Sequence, residues 1–389
     1  MLNEVKVGLV GLGNRGYFLY QDVISAFPFV RIRALCDLYD DRIDKAYRTV
    51  LTHESDAQVL KTTDYRELLK ADLDCIVIAT SWETHTEIAC AAMERGIAVA
   101  CEVGGAVDIS ECYRLVETYE RTKTPIMFLE NCCYGKIEGT VGNMVRAGLF
   151  GALVYCSGSY GHDLRLEIAT GTEQRHYREH HYLTRNCENY PTHELGPIAK
   201  LLNINRGNRM VSLSCVASCA KGLADYVKRG KQHDAQAEQP FRQADVVVAL
   251  ITCENGELIQ VKLDTTLPRS YCREFMVAGT RGRYTELYDE VFLDGDYEWG
   301  KSKPLGEYFN EYLPEKWKNE DKIKELGHGG MDYLVFEDFF DCLRNGKPMP
   351  IDVYDMASWM AVTPLSDLAL KTGKTVEIPD FTHGDYKNR

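Results

Sequence analysis

The chain has 389 residues, 45% hydrophobic and 26% charged, which is enough apolar material for two or three domains with their own cores. Its formal net charge of −13, from 45 basic and 58 acidic residues, argues against nucleic acid or an anionic membrane as the main partner. No run of about 18 apolar residues marks a membrane span and no basic leader precedes the first strand-like segment, so the cytosol is the expected location. The 14 cysteines are scattered, without a CxxC pair or histidines at zinc-like spacing. They read as small buried residues of a reducing compartment, and no metal is expected.

In chain order, EVKVGLVGLG at 4–13 reads as a strand running into a glycine turn, and a helix is expected from Asn14 to Ala26. VRIRALCD (30–37) is a second strand, followed by a helix over Tyr39–Leu51. DCIVIAT (74–80), AVACEV (98–103) and PIMFLEN (125–131) are further strands, separated by helical stretches at 85–96 and 110–123. Strands alternating with helices predict an α/β N-terminal Rossmann domain over 1–130, with a parallel doubly wound sheet. Beyond 131 the rhythm changes. One helix at 140–151 precedes strand-like runs at 152–162, 210–220, 244–254, 258–267, 273–287 and 290–293. TCENGELI and AGTRGRY look like hairpin turns. This predicts a substrate-binding α+β domain over 131–389 with a mainly antiparallel open sheet. Polar 222–242 reads as an exposed loop, and 299–327 as charged and irregular. Helices near 331–345 and 354–372 close the chain, and can pack back on the first domain.

Gly11, Gly13 and Gly16 of GLGNRG have the GxGxxG spacing between a strand and a helix, and Asp37 ends the second strand 21 residues after Gly16. That context is the dinucleotide fingerprint: glycines allow close approach of a pyrophosphate, and the acid binds the ribose hydroxyls and favours NAD over NADP. Trp82, Glu83, Thr84 and His85 sit at the C-terminal end of the third strand, where open parallel sheets bind ligands. His85 reads equally well as a polar residue of a helix N-terminus. His162, Asp163, His180 and His181 invite a metal reading that the redox chemistry does not require. Nothing in the sequence pairs Glu138 with Glu194 as glycosidase carboxylates.

The whole pattern resembles the Gfo/Idh/MocA oxidoreductases, with one difference at the end of the fourth strand. Their Glu-Lys-Pro motif reads Glu102-Val103-Gly104 here. GLGNRG, WETH, EV, ENCCYG, NMVRAGLFG, GSYGHDLR, NYPTHELGPIAKLLNINRGNR and DTTLPRSYCR resemble one branch, the NAD-dependent α-N-acetylgalactosaminidases of glycoside hydrolase family 109. The likeness runs from residue 8 to about 284. The chain departs from that branch in Gly104 for proline, Glu194 for glycine and Tyr177 for tryptophan. The resemblance implies NAD contacts at Asn14, Arg15, Asp37, Trp82–His85, Glu102, Val103 and Asn131. It also implies substrate contacts at Tyr160, Arg178, Tyr190, Pro191, Thr192, His193 and Tyr271. His193 and Tyr271 are the expected catalytic pair, replacing the missing lysine, in a cycle that oxidises C3, eliminates at C1, adds water and reduces again; His193 is expected after Pro191, between a polar loop and a helix starting near Gly196. The alternative reading is a net sugar or cyclitol dehydrogenase of the same superfamily. A non-catalytic NAD-binding regulator would need no such polar set. A small carbohydrate partner and a homo-oligomer are expected.

Overall fold

The computed structural model describes residues 3–295 and 302–389. The chain divides into two compact units. The first comprises Met1–Val103, Ser110–Tyr134 and Lys316–Ala357; the second comprises Gly104–Ile109, Gly135–Glu315 and Ser358–Arg389.

The first unit is built on β1 (Val5–Val10), β2 (Val30–Cys36), β3 (Leu60–Thr62), β4 (Cys75–Ile78), β5 (Ala98–Cys101) and β6 (Ile126–Phe128). The sheet order is β3-β2-β1-β4-β5-β6 and every pairing is parallel. Order reverses between β1 and β4, the switch point at which such sheets bind ligands. Every residue of β4 and β5 is buried, because helices cover both faces of a parallel sheet; hence their unbroken apolar runs. The helix Asp40–His53 buries Ile43, Ala46 and Val50, one helical stripe. β3, three residues with no buried position, had no apolar signal to read.

The helix expected over 14–26 spans those residues but changes type along its length. It is α-helical at Asn14–Phe18, widens to a π turn at Leu19–Val23 and ends as a 3-10 turn at Ile24–Ala26. Pro28 drives Phe27 to an extended backbone, which closes the helix. The late helix Met331–Asn345 lies in this unit. It sends Val335, Phe336, Phe339 and Phe340 into the core, with Tyr333 stacked on Phe27 at 4.8 Å.

The second unit carries β7 (Leu153–Gly161), β8 (Met210–Ala217), β9 (Val246–Cys253), β10 (Leu258–Asp264), β11 (Met276–Gly279), β12 (Gly282–Thr285), β13 (Glu290–Leu293) and β14 (Val376–Glu377). Their order is β13-β12-β11-β7-β10-β9-β8-β14. Neighbours are antiparallel except β7 and β10, which run parallel. Both expected hairpins form, between β9 and β10 and between β11 and β12. The helix Thr192–Leu201 packs on β7 at Gly158, where a Cβ would stand 2.5 Å from that of Glu194.

Three local expectations need correction. The segment 222–242 is not a plain loop: it holds a helix Gly222–Lys228 and a 3-10 turn Ala235–Glu238, anchored by buried Leu223, Asp234 and Ala237. The helix expected over 354–372 is two helices, Val353–Met360 and Val362–Thr372. Pro364 has no N–H to give the Met360 carbonyl, which accepts instead from Ala106 N at 3.2 Å. The helix expected to begin near Gly196 begins at Thr192 and carries Pro197 inside it, so His193 lies in its first turn. Of the stretch 299–327, residues 299–301 lie outside the described residues. The rest holds short helical turns between Leu305 and Ile323.

Candidate active site

In the first unit the glycine turn is packed to the limit. Gly11 has φ +90°, and a Cβ there would stand 2.6 Å from the Ala79 backbone. A Cβ on Gly16 would lie 1.9 Å from the Gly11 carbonyl oxygen. Only bare backbone fits, which leaves the turn open to a phosphate group above it, with Asn14 exposed at the helix start. Asp37 is buried where β2 ends. Its carboxylate accepts from Leu12 N at 2.7 Å and Tyr39 N at 3.0 Å, with Arg42 Nη1 3.9 Å away. These bonds fix the acid beside the glycine turn, the place of the ribose-binding carboxylate. The cradle fits a dinucleotide.

After β4, the helix Trp82–Met93 begins with Trp82 and His85 buried and Glu83 exposed. His85 Nε2 lies 3.1 Å from the Thr80 carbonyl, and burial pushes its pKa down to about 4. It is therefore a neutral ring donating to backbone, not a proton carrier. Thr84 Oγ1 lies 2.7 Å from Thr80 Oγ1.

Arg15, Glu102 and Asn131 come together through a residue that sequence reading missed. Asp332 accepts from Arg15 Nη1 and Nη2 at 2.8 and 2.9 Å and from Asn131 Nδ2 at 2.8 Å, and His328 Nδ1 is 2.7 Å away. Arg15 Nε also donates to Glu102 Oε1 at 2.9 Å, and Val103 N to Glu102 Oε2 at 3.1 Å. Burial raises the Asp332 pKa, but the Arg15 charge and its hydrogen bonds outweigh it and hold the carboxyl well below the usual range. The network ties the glycine turn to the strand end at Glu102–Val103. A signal for it existed. Asp332 is three and four residues before Val335 and Phe336, so it is an acid on an apolar helical stripe.

In the second unit, four expected substrate residues form one aromatic and cationic cluster. Tyr160, on β7, packs on Tyr190 with ring centroids 4.6 Å apart. His193 meets Tyr190 edge-on at 4.9 Å and Tyr160 at 5.6 Å, with Tyr190 Oη 3.5 Å from His193 Nε2. The Arg178 guanidinium lies 5.2 Å from the Tyr190 ring, and its Nη1 is 3.1 Å from Glu167 Oε1. Burial opposes the Arg178 charge, but Tyr160, Glu167, Tyr177 and Tyr190 outweigh it, so the group is firmly cationic. Pro191 and Thr192 are buried beneath the cluster's loop.

His162 joins this cluster in a role not seen in the sequence. Its Nδ1 lies 3.2 Å from Tyr160 Oη, and its ring meets Tyr271 at 5.2 Å. Burial, then the Arg178 charge, lowers its pKa, which favours the neutral ring. Asp163 is taken up by Arg165 at 2.7 Å rather than turned to a metal. Tyr271 is half-exposed on the loop between β10 and β11. That loop is pinned by Arg269, which bonds Asp264 at 2.5 Å and Glu274 at 2.9 Å, and by the Gly161–Cys272 backbone bridge. Glu138 pairs with Arg273 at 2.5 Å, so that carboxylate is structural. Glu188, fully buried behind Tyr190, caps Tyr190 N at 3.3 Å, and burial pushes its pKa up to about 8.

Comparison with known proteins fits this division. Residues 134–388 match the family described as "Glycosyl hydrolase 109, C-terminal domain", and residues 5–129 match "Oxidoreductase family, NAD-binding Rossmann fold". A glycosyl hydrolase family 109 protein of Stenotrophomonas maltophilia strain K279a is 35% identical, covering 99% of this chain and 91% of the relative. An alpha-N-acetylgalactosaminidase of Tannerella forsythia is 34% identical, covering 99% and 88%. Among solved structures, levoglucosan dehydrogenase in complex with NADH and levoglucosan shares the fold at a TM-score of 0.74 and 18% identity, covering 97% of this chain and 100% of that one. With a family match over more than half its length and such relatives over nearly all of it, the chain belongs to glycosyl hydrolase family 109, and its residues 5–129 form an NAD-binding Rossmann domain.

Proposed function

We propose that this enzyme hydrolyses N-acetylgalactosaminides or related hexosides by a redox-neutral cycle on tightly bound NAD. The observation that carries the reading is the cluster of Tyr160, Arg178, Tyr190 and His193, joined to Tyr271 through His162, in the unit that matches the hydrolase family. The name of the Tannerella forsythia relative points to the same sugar class. The sugar-binding unit has its own acid–base set, so the valine that stands where related dehydrogenases carry a lysine leaves no chemical gap.

Bound NAD supplies the oxidation at C3 of the sugar and the matching reduction at the end of the cycle. The chain's own residues move the protons. A C3 ketone acidifies the C2 proton, whose removal expels the C1 substituent. Water then adds at C1 and a proton returns to C2. The steps need one base at the C3 hydroxyl and one at C2. His193 is one, its imidazole held edge-on to the Tyr160 and Tyr190 rings. Tyr271 is the other base or the donor to the leaving oxygen. Arg178, cationic and set over the Tyr190 ring, binds and orients a sugar hydroxyl, in the bound substrate as much as during the reaction. Tyr160 and Tyr190 offer the sugar apolar faces and hydroxyls. Because the C1 substituent leaves by elimination, both α and β glycosides are expected substrates.

Turnover in D2O tests the route. The product sugar should carry deuterium at C2; a product with only protium there contradicts the proposal. We also propose a homo-oligomer, supported by Val216 and Leu250 standing 68% and 40% exposed on the second unit's sheet. A cytosolic site fits cysteines spaced for burial rather than pairing. Among the described residues, no helix is long and apolar enough to cross a membrane.

A further inference from the structure

Arg178 opens the helix Arg178–Thr184, and the next residue, Glu179, is buried in the protein. Glu179 is 1% exposed and Asp234 is 6% exposed. Both carboxyl groups converge on one backbone donor, Thr172 N, at 2.9 Å each. Thr172 Oγ1 also donates to Glu179 Oε2 at 2.6 Å. Asp234 accepts from Gln236 N and Ala237 N at 3.0 and 3.2 Å through its other oxygen. Glu179 Oε1 has no donor among the described residues. Gly171 permits the approach, since a Cβ there would stand 2.6 Å from that of Glu179. Two buried carboxylates against one N–H repel each other, and the arrangement holds together when a proton lies between them.

We propose that Glu179 is a positioning residue for Arg178: protonated, it donates to Asp234, and this clasp fastens the Arg178 helix to the turn at 171–172 and to the 234–238 turn. The inference rests on the reading of Arg178 as a sugar-binding residue. Burial and the Asp234 carboxylate raise the Glu179 pKa to about 7, while the bonds Asp234 accepts lower its own. A carboxyl raised above its unfolded value contributes stability that is complete below about pH 4 and is lost as pH rises through the folded value. The clasp therefore opens on the alkaline side of neutrality.

The charged groups on the surrounding elements are known. Arg165 and Glu167 lie on the helix Arg165–Ala169, paired with Asp163 and Arg178. Glu173, Arg175 and His176 lie on the turn before the Arg178 helix, and His180 and His181 on the helix itself. Asp225 and Lys228 lie on Gly222–Lys228, Asp225 paired with Arg229. Lys231, His233 and Glu238 flank Asp234, with His233 3.6 Å from Glu238. The substitution Glu179→Gln leaves all of these in place and puts a permanent amide donor where the proton was, so comparison with the wild type isolates the clasp.

The experiment compares the purified wild type, Glu179→Gln and Asp234→Asn between about pH 5.5 and pH 8.5, with two readouts. The first is KM and kcat on a p-nitrophenyl N-acetylgalactosaminide. The second is Tm without substrate. In the wild type KM rises about tenfold across the range, the size of one hydrogen bond to a charged group, while kcat changes less than about twofold. In both variants KM stays flat, because an amide–carboxylate pair needs no extra proton. The wild-type Tm falls relative to the Glu179→Gln protein by about 3 °C over the same range. Parallel Tm profiles overturn the clasp. Diverging Tm profiles with the same KM profile in wild type and Glu179→Gln show a purely structural pair and overturn the positioning role. If the wild type turns over no glycoside, the hydrolase reading fails by itself, and the Tm profiles still decide the shared proton. Asp234→Asn repeats the test from the other side should Glu179→Gln not fold.

Discussion

Replacing His193 with glutamine lowers kcat by about a thousandfold, the mid-range value for loss of a positioned general base. The ring is half-buried, and the contacts seen within its unit are edge-on to Tyr160 and Tyr190 and a long 3.5 Å approach to Tyr190 Oη. Glutamine can fill that space and keep the approach to Tyr190. Tm and the amount of NAD retained on purification therefore stay near the wild-type values while turnover collapses. A His193→Gln enzyme within about tenfold of wild-type kcat would remove His193 from the chemistry. Joint loss of Tm and activity would make it a packing residue.

The second large effect is on stability. Asp332→Ala removes the carboxylate that gathers Arg15, Asn131 and His328. Breaking a fully buried ion pair costs about 3–5 kcal/mol, chiefly through the charge left behind. Two facts reduce that here. The Arg15 side chain is 29% exposed, and Glu102 still pairs with it at 2.7 Å. The expected cost is about 2 kcal/mol, read from urea unfolding of the first unit's transition. The pH dependence has a definite sign. Asp332 is a carboxyl with a lowered pKa, so its contribution is complete above about pH 4 and is lost as pH falls through its low folded value. Wild type and Asp332→Ala should converge in stability under strongly acid conditions and separate above them. A cost under about 0.5 kcal/mol at neutral pH would mean that the network is a surface ion pair of little weight.

What could be read from the sequence divides along a physical line. β1, the GLGNRG turn and Asp37 were legible, because a buried parallel strand is a continuous apolar run and a glycine turn is required by the backbone itself. The antiparallel hairpins were legible from Asn255–Gly256 and Thr280–Arg281. The parallel pairing of β7 with β10 was not, since strands about a hundred residues apart carry no mark of their neighbour. The short helix Arg178–Thr184 was hidden for a different reason. RHYREHHY lacks an apolar stripe, and the helix is held by tertiary bonds through Glu179 rather than by periodicity. The helix that carries His193 begins before the expected Gly196 and contains Pro197. A proline usually marks a first turn, but here it sits mid-helix, where it forgoes one bond to the His193 carbonyl. Asp332 and His162 are single polar residues whose meaning comes only from what lies against them, Arg15 in one case and Tyr160 with Tyr271 in the other.

In the proposed cycle of this family 109 hydrolase the redox chemistry cancels within each turnover. The most direct measurement follows nitrophenol and NADH together while the purified protein, with NAD, acts on p-nitrophenyl α- and β-glycosides that include N-acetylgalactosamine. The expected result is steady nitrophenol release, greatest with N-acetylgalactosaminides, and no net gain of NADH. NADH that accumulates with the sugar while nitrophenol stays bound would contradict it, and would make the protein a dehydrogenase.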